Sequence, residues 1–316
     1  MLLIVSFYTI KVQSGIQIEI IKKIRPILYE HIEKNANKVS VMKKMDSFIQ
    51  RNEINESSFV DYVNGVGNYY HEQGRLTEAI ELYLKVVSYY EQKSKNLSED
   101  ETKSLIQFYI PLGAANQELN LWTQAMGYYF KALALANGHH YDKYRARIFT
   151  NIGNVYFERN EINVAFKYYM KSLAINKVNN NKIELAYNYN NIAAVYSSRN
   201  QLNKTLDYAL QAVQQLDPNK NAYFYYSLQT NIGEVYLQKK DYAMSMAYLN
   251  NAMVNQQKFG FNSDLIQTYL EISSLFSKID KSDSAFTYLK RALLLSSRLK
   301  DAATERGIQK LMADYY

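Results

Sequence analysis

Apolar residues recur at helical spacing in the middle of the chain. Phe149, Ile152, Val155 and Tyr156 are separated by three, three and one positions, so they fall on one face of an α-helix. Gly153 lies on the same face and carries no side chain, so a second helix can approach closely there. The pattern predicts a helix that is buried along this face.

A second apolar stripe follows after a short polar break. The break ends near Asn160, a residue type that tolerates the left-handed conformation at helix ends. Ile162, Ala165, Tyr169 and Leu173 then recur at spacings of three, four and four. Two amphipathic helices joined by a tight turn predict an αα-hairpin.

This hairpin pattern repeats along the chain. The six residues that start at Asn151 recur in closely similar form from Asn191 and from Asn231, 40 positions apart each time. Small residues occupy one position of each copy: Gly113, Gly153, Ala193, Gly233, Ser273 and Ala313. A fixed period of this size predicts a solenoid of stacked hairpins, because one hairpin alone cannot bury its apolar face.

The unit resembles the tetratricopeptide repeat family. The resemblance rests on large, small and aromatic residues at fixed positions of both helices and covers residues 59 to 316. Examples of the pattern are Val63, Gly67, Tyr70, Ala79 and Tyr83; Phe149, Ile152, Gly153, Tyr156, Ala165 and Tyr169; and Ile272, Ser273, Phe276, Ala285 and Leu289. The resemblance implies an all-α fold, an α-solenoid that forms a right-handed superhelix, with six repeats and a terminal capping helix.

The sequence departs from that family in three respects. The period is 40 residues rather than the usual 34, as in long-period bacterial arrays. Thr205 and Ser245 replace the small alanine of the second helix in two repeats, so local packing should differ there. Pro111 lies inside a first helix, where it should produce a kink. A polar loop before that helix accounts for a longer interval between the first two repeats.

The N-terminal part lacks the repeat pattern. Residues 1–15 contain an apolar run that resembles the core of a secretory signal, although a basic start is missing. This favours export to the periplasm or cell envelope; an ordinary buried helix in a cytoplasmic protein is the alternative. Residues 16–58 carry helical stripes and many lysines, and we expect capping helices for the solenoid rather than a DNA-binding motif.

Composition restricts the possible chemistry. The chain has no cysteine, four histidines and a net charge of +7 that is spread over all repeats. No glycine-rich phosphate loop, catalytic triad or metal-ligand spacing is present. We therefore expect no enzyme activity, no cofactor, no metal, no nucleic-acid partner and no membrane-spanning segment. The sequence predicts no particular oligomeric state.

The remaining candidate is the concave face. In tetratricopeptide arrays the first helices line a groove, and the corresponding positions here are rich in asparagine, whose amide both donates and accepts hydrogen bonds. Candidate peptide-binding residues are Asn64, Asn68, Arg147, Asn151, Asn154, Asn190, Asn191 and Asn231. Thr150, Thr230, Glu234 and Glu271 are further inward positions. The lysine and asparagine set with which co-chaperones of this family bind a C-terminal carboxylate is incomplete, since only Asn68 and Arg147 fit it.

Two functions remain open at this point. The first is a non-catalytic scaffold that binds a peptide or protein segment in its groove. The second is the ligand-sensing region of a bacterial signalling or regulatory protein, in which the ligand changes the curvature of the array. Only the second function requires a change of shape.

Overall fold

A computed structural model describes residues 57–93 and 97–313. This part of the chain contains thirteen α-helices and no β-strand. The helices are α1 Ser57–Glu72, α2 Leu76–Gln92, α3 Glu99–Glu118, α4 Trp122–Gly138, α5 Asp142–Glu158, α6 Ile162–Val178, α7 Lys182–Ser198, α8 Leu202–Gln214, α9 Ala222–Gln238, α10 Tyr242–Phe259, α11 Asn262–Lys278, α12 Ser282–Arg298 and α13 Ala302–Ala313. The all-α fold class is confirmed.

The described residues belong to two compact units, residues 57–179 and residues 180–313. The first unit contains helices α1 to α6, and the second contains α7 to α13. In each unit, consecutive helices pair as antiparallel hairpins that stack on one another. Each unit is therefore an α-solenoid, as predicted. The proposed signal-like segment and the N-terminal capping helices lie outside the described residues.

The turns between helices explain the 40-residue period. A residue with positive φ follows most helices. These residues lie 20 positions apart, except for one interval of 40 between Asn200 and Lys240: Asn120, His140, Asn160, Asn180, Asn200, Lys240, Gly260, Asp280 and Lys300. The prediction of a left-handed stop at Asn160, with φ of 62°, is confirmed. Most helices thus end in the same way, and two consecutive helices with their turns give the 40-residue period.

Within a hairpin, a bulky side chain of the second helix packs against the small residue of the first helix. A Cβ atom added to Gly153 would lie 2.5 Å from the Tyr169 ring, and one added to Gly233 would lie 2.6 Å from Leu249. The other glycines of this position in the first unit, Gly67 and Gly113, are covered by tyrosine rings in the same way. The close helix approach inferred from the sequence is confirmed.

A second aromatic contact joins the two helices in four of the hairpins. Tyr156 stacks on Tyr168 with ring centroids 5.6 Å apart, and an equivalent pair recurs 40 residues later in the second unit, where Tyr196 stacks on Tyr208 at 5.3 Å. Two more pairs follow at the same interval, Tyr236 with Tyr248 and Phe276 with Tyr288. Aromatic burial and offset stacking both stabilise the hairpin.

The two residues that depart from the family pattern in second helices are accommodated by hydrogen bonds. Thr205 is buried, and its hydroxyl donates to the carbonyl oxygen of Gln201 at 3.1 Å. The buried Ser245 hydroxyl donates to the Gly233 carbonyl oxygen across the hairpin at 2.8 Å. Neither hydroxyl is left unpaired, so the substitutions carry little desolvation cost.

The irregular interval between the first two repeats is taken up before α3. Ser98 and Glu101 form a capping box at the start of this helix, and Lys93 forms an ion pair with Glu101 at 2.7 Å. The 20-residue helix α3 continues through Pro111 to Glu118. The helix thus begins at a polar cap and the proline does not end it, while residues 94–96 of the expected polar loop lie outside the described residues.

The last described helix packs on the repeat before it. Ile308 of α13 is fully buried in a cluster with Tyr269, Leu289 and Ala292, and Met312 packs against that cluster. Leu311 of the same helix is 42% exposed. Ile308 is therefore the main apolar contact of this helix with the preceding repeat.

Candidate functional site

Two of the candidate asparagines in the first unit accept hydrogen bonds from tyrosines of the neighbouring helix. The Tyr83 hydroxyl donates to Asn68 Oδ1 at 3.0 Å, and the Tyr169 hydroxyl donates to Asn154 Oδ1 at 2.9 Å. These are the same tyrosines whose rings cover Gly67 and Gly153. The amide oxygens of Asn68 and Asn154 thus have a structural role that the sequence did not reveal.

The other candidates of the first unit are half-buried on first helices. Asn64 lies on α1, and Arg147 and Asn151 lie on α5. Within the described part of the chain, Arg147 forms no ion pair and Asn151 forms no side-chain hydrogen bond. Both side chains are therefore compatible with contact to an external group.

A polar cluster at the ends of the first helices was not predicted. His71 Nε2 lies 2.8 Å from Glu118 Oε1, and Gln117 Nε2 donates to Glu158 Oε1 at 2.7 Å. Burial raises the pKa of Glu158 to about 7, the hydrogen bond from Gln117 opposes this, and the nearby Glu118 adds to it. The chain thus carries a carboxyl group in this unit that titrates near neutral pH.

In the second unit, two asparagines are buried with unpaired amide atoms. Asn190 on α7 is 2% exposed and its Oδ1 has no hydrogen-bond partner, while Asn231 on α9 is 5% exposed and its Nδ2 has none. Asn191 is half-buried beside Asn190. A buried polar group without a partner costs about 1–3 kcal/mol, so most such groups in folded proteins are paired.

Two residues expected to face the groove instead form hydrogen bonds between helices. The Thr150 and Ser172 hydroxyls lie 2.9 Å apart, joining α5 to α6, and Thr230 and Thr268 lie 2.7 Å apart, joining α9 to α11. Gln256 of α10 also donates to Thr230 at 3.2 Å. Placing Thr150 and Thr230 on the groove is wrong, because their hydroxyls pair with Ser172 and Thr268, respectively, in the interior.

Two buried glutamates lie on neighbouring first helices, close enough for the charge of one to affect the other. Glu234 on α9 and Glu271 on α11 are each 5% exposed. Gln238 Nε2 donates to Glu234 Oε1 at 2.9 Å, and Gln267 Nε2 donates to Glu271 Oε1 at 2.6 Å. Burial raises the pKa of both carboxyls, and the charge of Glu234 raises that of Glu271 further. The sequence indicated their inward position but not their pairing.

The described residues form neither a metal cluster nor a membrane span. No group of three or more histidine, aspartate or glutamate side chains lies close enough to hold a metal ion in residues 57–93 and 97–313. Over the same residues, no helix has the length and apolar character needed to cross a membrane.

Family comparisons agree with the repeat pattern. A family profile described as tetratricopeptide repeat matches residues 61–94 and 145–180, and another with the same description matches residues 226–253. These segments each fall on a helical hairpin: α1 with α2, α5 with α6, and α9 with α10. No curated protein matches the chain.

Several solved structures of different proteins have a similar fold. BtubC (BKLC) from P. vanneervenii has a TM-score of 0.62 at 16% identity, over 71% of this chain and 92% of that one. The apo form of RapI has a TM-score of 0.61 at 15% identity, over 81% and 97%. A signal transduction ATPase with a tetratricopeptide repeat sensor, from Pyrococcus horikoshii, has a TM-score of 0.58 at 14% identity, over 84% and 45%. At these identities the likeness concerns the fold.

Proposed function

We propose that the chain, as a tetratricopeptide-repeat protein, is a non-catalytic scaffold. It would bind an extended peptide or protein segment along the inward faces of its first helices. Repeats of this family support protein–protein interaction, and the described residues provide polar side chains at the positions where such a partner would lie. These side chains would bind the partner's backbone, which every peptide shares.

The observation that carries the proposal is the pair of unsatisfied amide atoms in the second unit. Asn190 offers an acceptor, Oδ1, and Asn231 offers a donor, Nδ2. A peptide group offers one N–H donor and one C=O acceptor. An extended segment would therefore satisfy both atoms, and binding would recover the free energy that their burial costs in the free protein.

The candidates of the first unit fit the same scheme with different roles. Arg147 would attract an acidic group of the partner, in a salt-dependent way. Asn64 and Asn151 would pair with backbone groups. Asn68 has its oxygen occupied by Tyr83, so its amide N–H group is the atom that would contact the partner.

The test begins with recovery of the partner from a native lysate by affinity capture, followed by mapping of the bound segment by mass spectrometry. Alanine variants at Asn68, Arg147, Asn154 and Asn190 are then compared with the parent for affinity and melting temperature. We expect weaker binding of the segment in the variants of groove residues. Unchanged affinity in all four would show that the partner binds elsewhere.

A sensor function is the second candidate, and the likeness to the signalling ATPase with a tetratricopeptide repeat sensor favours it. In such a protein the bound ligand would shift the array between two shapes. Small-angle X-ray scattering with and without the mapped segment separates the two functions. A scaffold gives the same scattering profile apart from added mass, whereas a sensor changes its radius of gyration.

A further inference from the structure

Glu234 and Glu271 form a pair that the peptide-backbone proposal does not use. They lie on neighbouring first helices of the second unit, and each accepts one hydrogen bond, from Gln238 or Gln267. No lysine, arginine or histidine affects the pKa of either carboxyl. Two carboxyls in a buried site without a positive partner are costly as anions.

A third polar group lies beside this pair. Asn231 precedes Glu234 by three residues, so both lie on one face of α9. Asn231 also occupies the position in its repeat that Glu271 occupies in the next, 40 residues on. Its unpaired Nδ2 donor is buried at this face. The site thus combines two acidic groups with one donor that lacks an acceptor.

We propose that this cluster of Asn231, Glu234 and Glu271 is a binding site for an arginine residue of the peptide segment. The guanidinium group would lie between the two carboxylates, and Asn231 Nδ2 would donate to a backbone carbonyl oxygen of the same segment. This inference rests on the proposed function and adds a side-chain preference to it.

The chemistry favours a guanidinium over other cations. It presents five N–H donors in a plane, pairs with carboxylates through two parallel hydrogen bonds, and is less strongly hydrated than an ammonium group. A calcium or magnesium ion would need additional oxygen ligands. Gln238 and Gln267 direct their N–H groups at the carboxylates, so their amides do not supply those oxygens.

Exposed residues follow the two glutamates along their helices. Ser274 follows Glu271 by three residues and is exposed, and Gln238 follows Glu234 by four residues and is also exposed. Burial raises the pKa of both glutamates, so the empty site holds protons at neutral pH. Binding of a cation would release these protons, and affinity should increase as the pH rises from 6 to 9.

The test is selection from a phage-displayed library of random linear peptides at pH 8.5. Three proteins are used as targets: the parent, the double variant E234Q/E271Q, and the control E158Q. The control carries the same substitution at a half-buried carboxyl of the first unit, whose pKa is also raised. We expect the parent and E158Q to select peptides enriched in arginine, and the double variant to lose that enrichment.

A selected peptide then gives the quantitative result. Replacement of its arginine by citrulline keeps the shape and removes the charge. We expect this change to weaken calorimetric binding to the parent at least tenfold and to leave binding to E234Q/E271Q unchanged, with E271Q alone intermediate. Melting temperatures of all variants show that the fold is retained.

The outcomes separate the two proposals. Peptides selected without arginine enrichment, or bound equally with citrulline, would overturn the arginine site and leave peptide binding in the groove supported. Failure of the parent to select any peptide would overturn the arginine site and also count against the proposed function.

Discussion

Each glycine that faces a second helix must stay small, because one bulky side chain of that helix fills the space beside it. A Cβ atom at Gly153 would lie 2.5 Å from the Tyr169 ring, closer than real contacts allow. We predict that Gly153→Ala destabilises the protein by about 1–3 kcal/mol, because the ring and helix must move apart. Urea unfolding measures this change.

Gly127 is the matched control for that substitution. It lies within helix α4, and an added Cβ would meet nothing within 4 Å. Gly127→Ala should therefore stabilise the protein slightly, by about 0.4–1 kcal/mol, because alanine has less conformational freedom in the unfolded chain. Equal effects at the two glycines would mean that the helix faces are wrongly assigned.

The buried Glu271 predicts a pH-dependent stability. Burial and the charge of Glu234 raise its folded pKa, so the folded state holds a proton that the unfolded state releases above its ordinary pKa near 4.3. The resulting stabilisation is complete below that value and is lost as the pH rises through the raised folded pKa.

We predict that Glu271→Gln raises the melting temperature more at pH 8.5 than at pH 5, because glutamine remains neutral at both. Thermal unfolding at the two pH values checks this prediction, with Glu305→Gln, at a more exposed carboxyl of α13, as the control. A larger effect at pH 5 would show that Glu271 is ionised in the folded protein.

At the scale of the helical element, the turns carry strain at residues other than glycine. Lys240 ends α9 with φ of 62°, a conformation that costs a residue with a side chain about 1 kcal/mol or more. We predict that Lys240→Gly stabilises the protein by up to about 1 kcal/mol. Lys239→Gly is the control, since φ there is −74° and glycine should destabilise.

The helical elements were largely predictable from the sequence, and their ends were less so. Apolar spacing located the hairpins, and Asn160 indicated a left-handed stop. The equivalent stops at Lys240 and Lys300 have a residue type that carries no such signal. Their conformation follows from the packing of the flanking helices, which local propensity does not encode.

The candidate site was predictable in position but not in detail. Repeat register placed Asn68, Asn154, Asn190 and Asn231 on first helices. It could not show that two of them bind tyrosine hydroxyls while the other two have unpaired amide atoms. That distinction depends on distances between helices, which a one-dimensional pattern does not contain. The pairing of Glu234 with Glu271 was missed for the same reason.

At the scale of the whole molecule, we infer that some inward polar groups bind a partner and do not stabilise the fold. Many of the described polar side chains in the interior, such as Thr230, Thr268 and Gln256, satisfy one another. Asn190 and Asn231 keep unpaired atoms and so reduce stability in the free protein. Residues of this kind are expected where function is favoured over stability.

The most direct measurement is calorimetric titration of the mapped partner segment into the parent, into Asn190→Ala/Asn231→Ala, and into Asn250→Ala. Asn250 lies exposed on the second helix α10 and serves as the control. We predict that the double variant binds at least tenfold more weakly while its melting temperature does not fall, because each lost hydrogen bond to the partner is worth about 1 kcal/mol and none is lost in the free protein. Parental affinity together with a lowered melting temperature in the double variant would contradict the account.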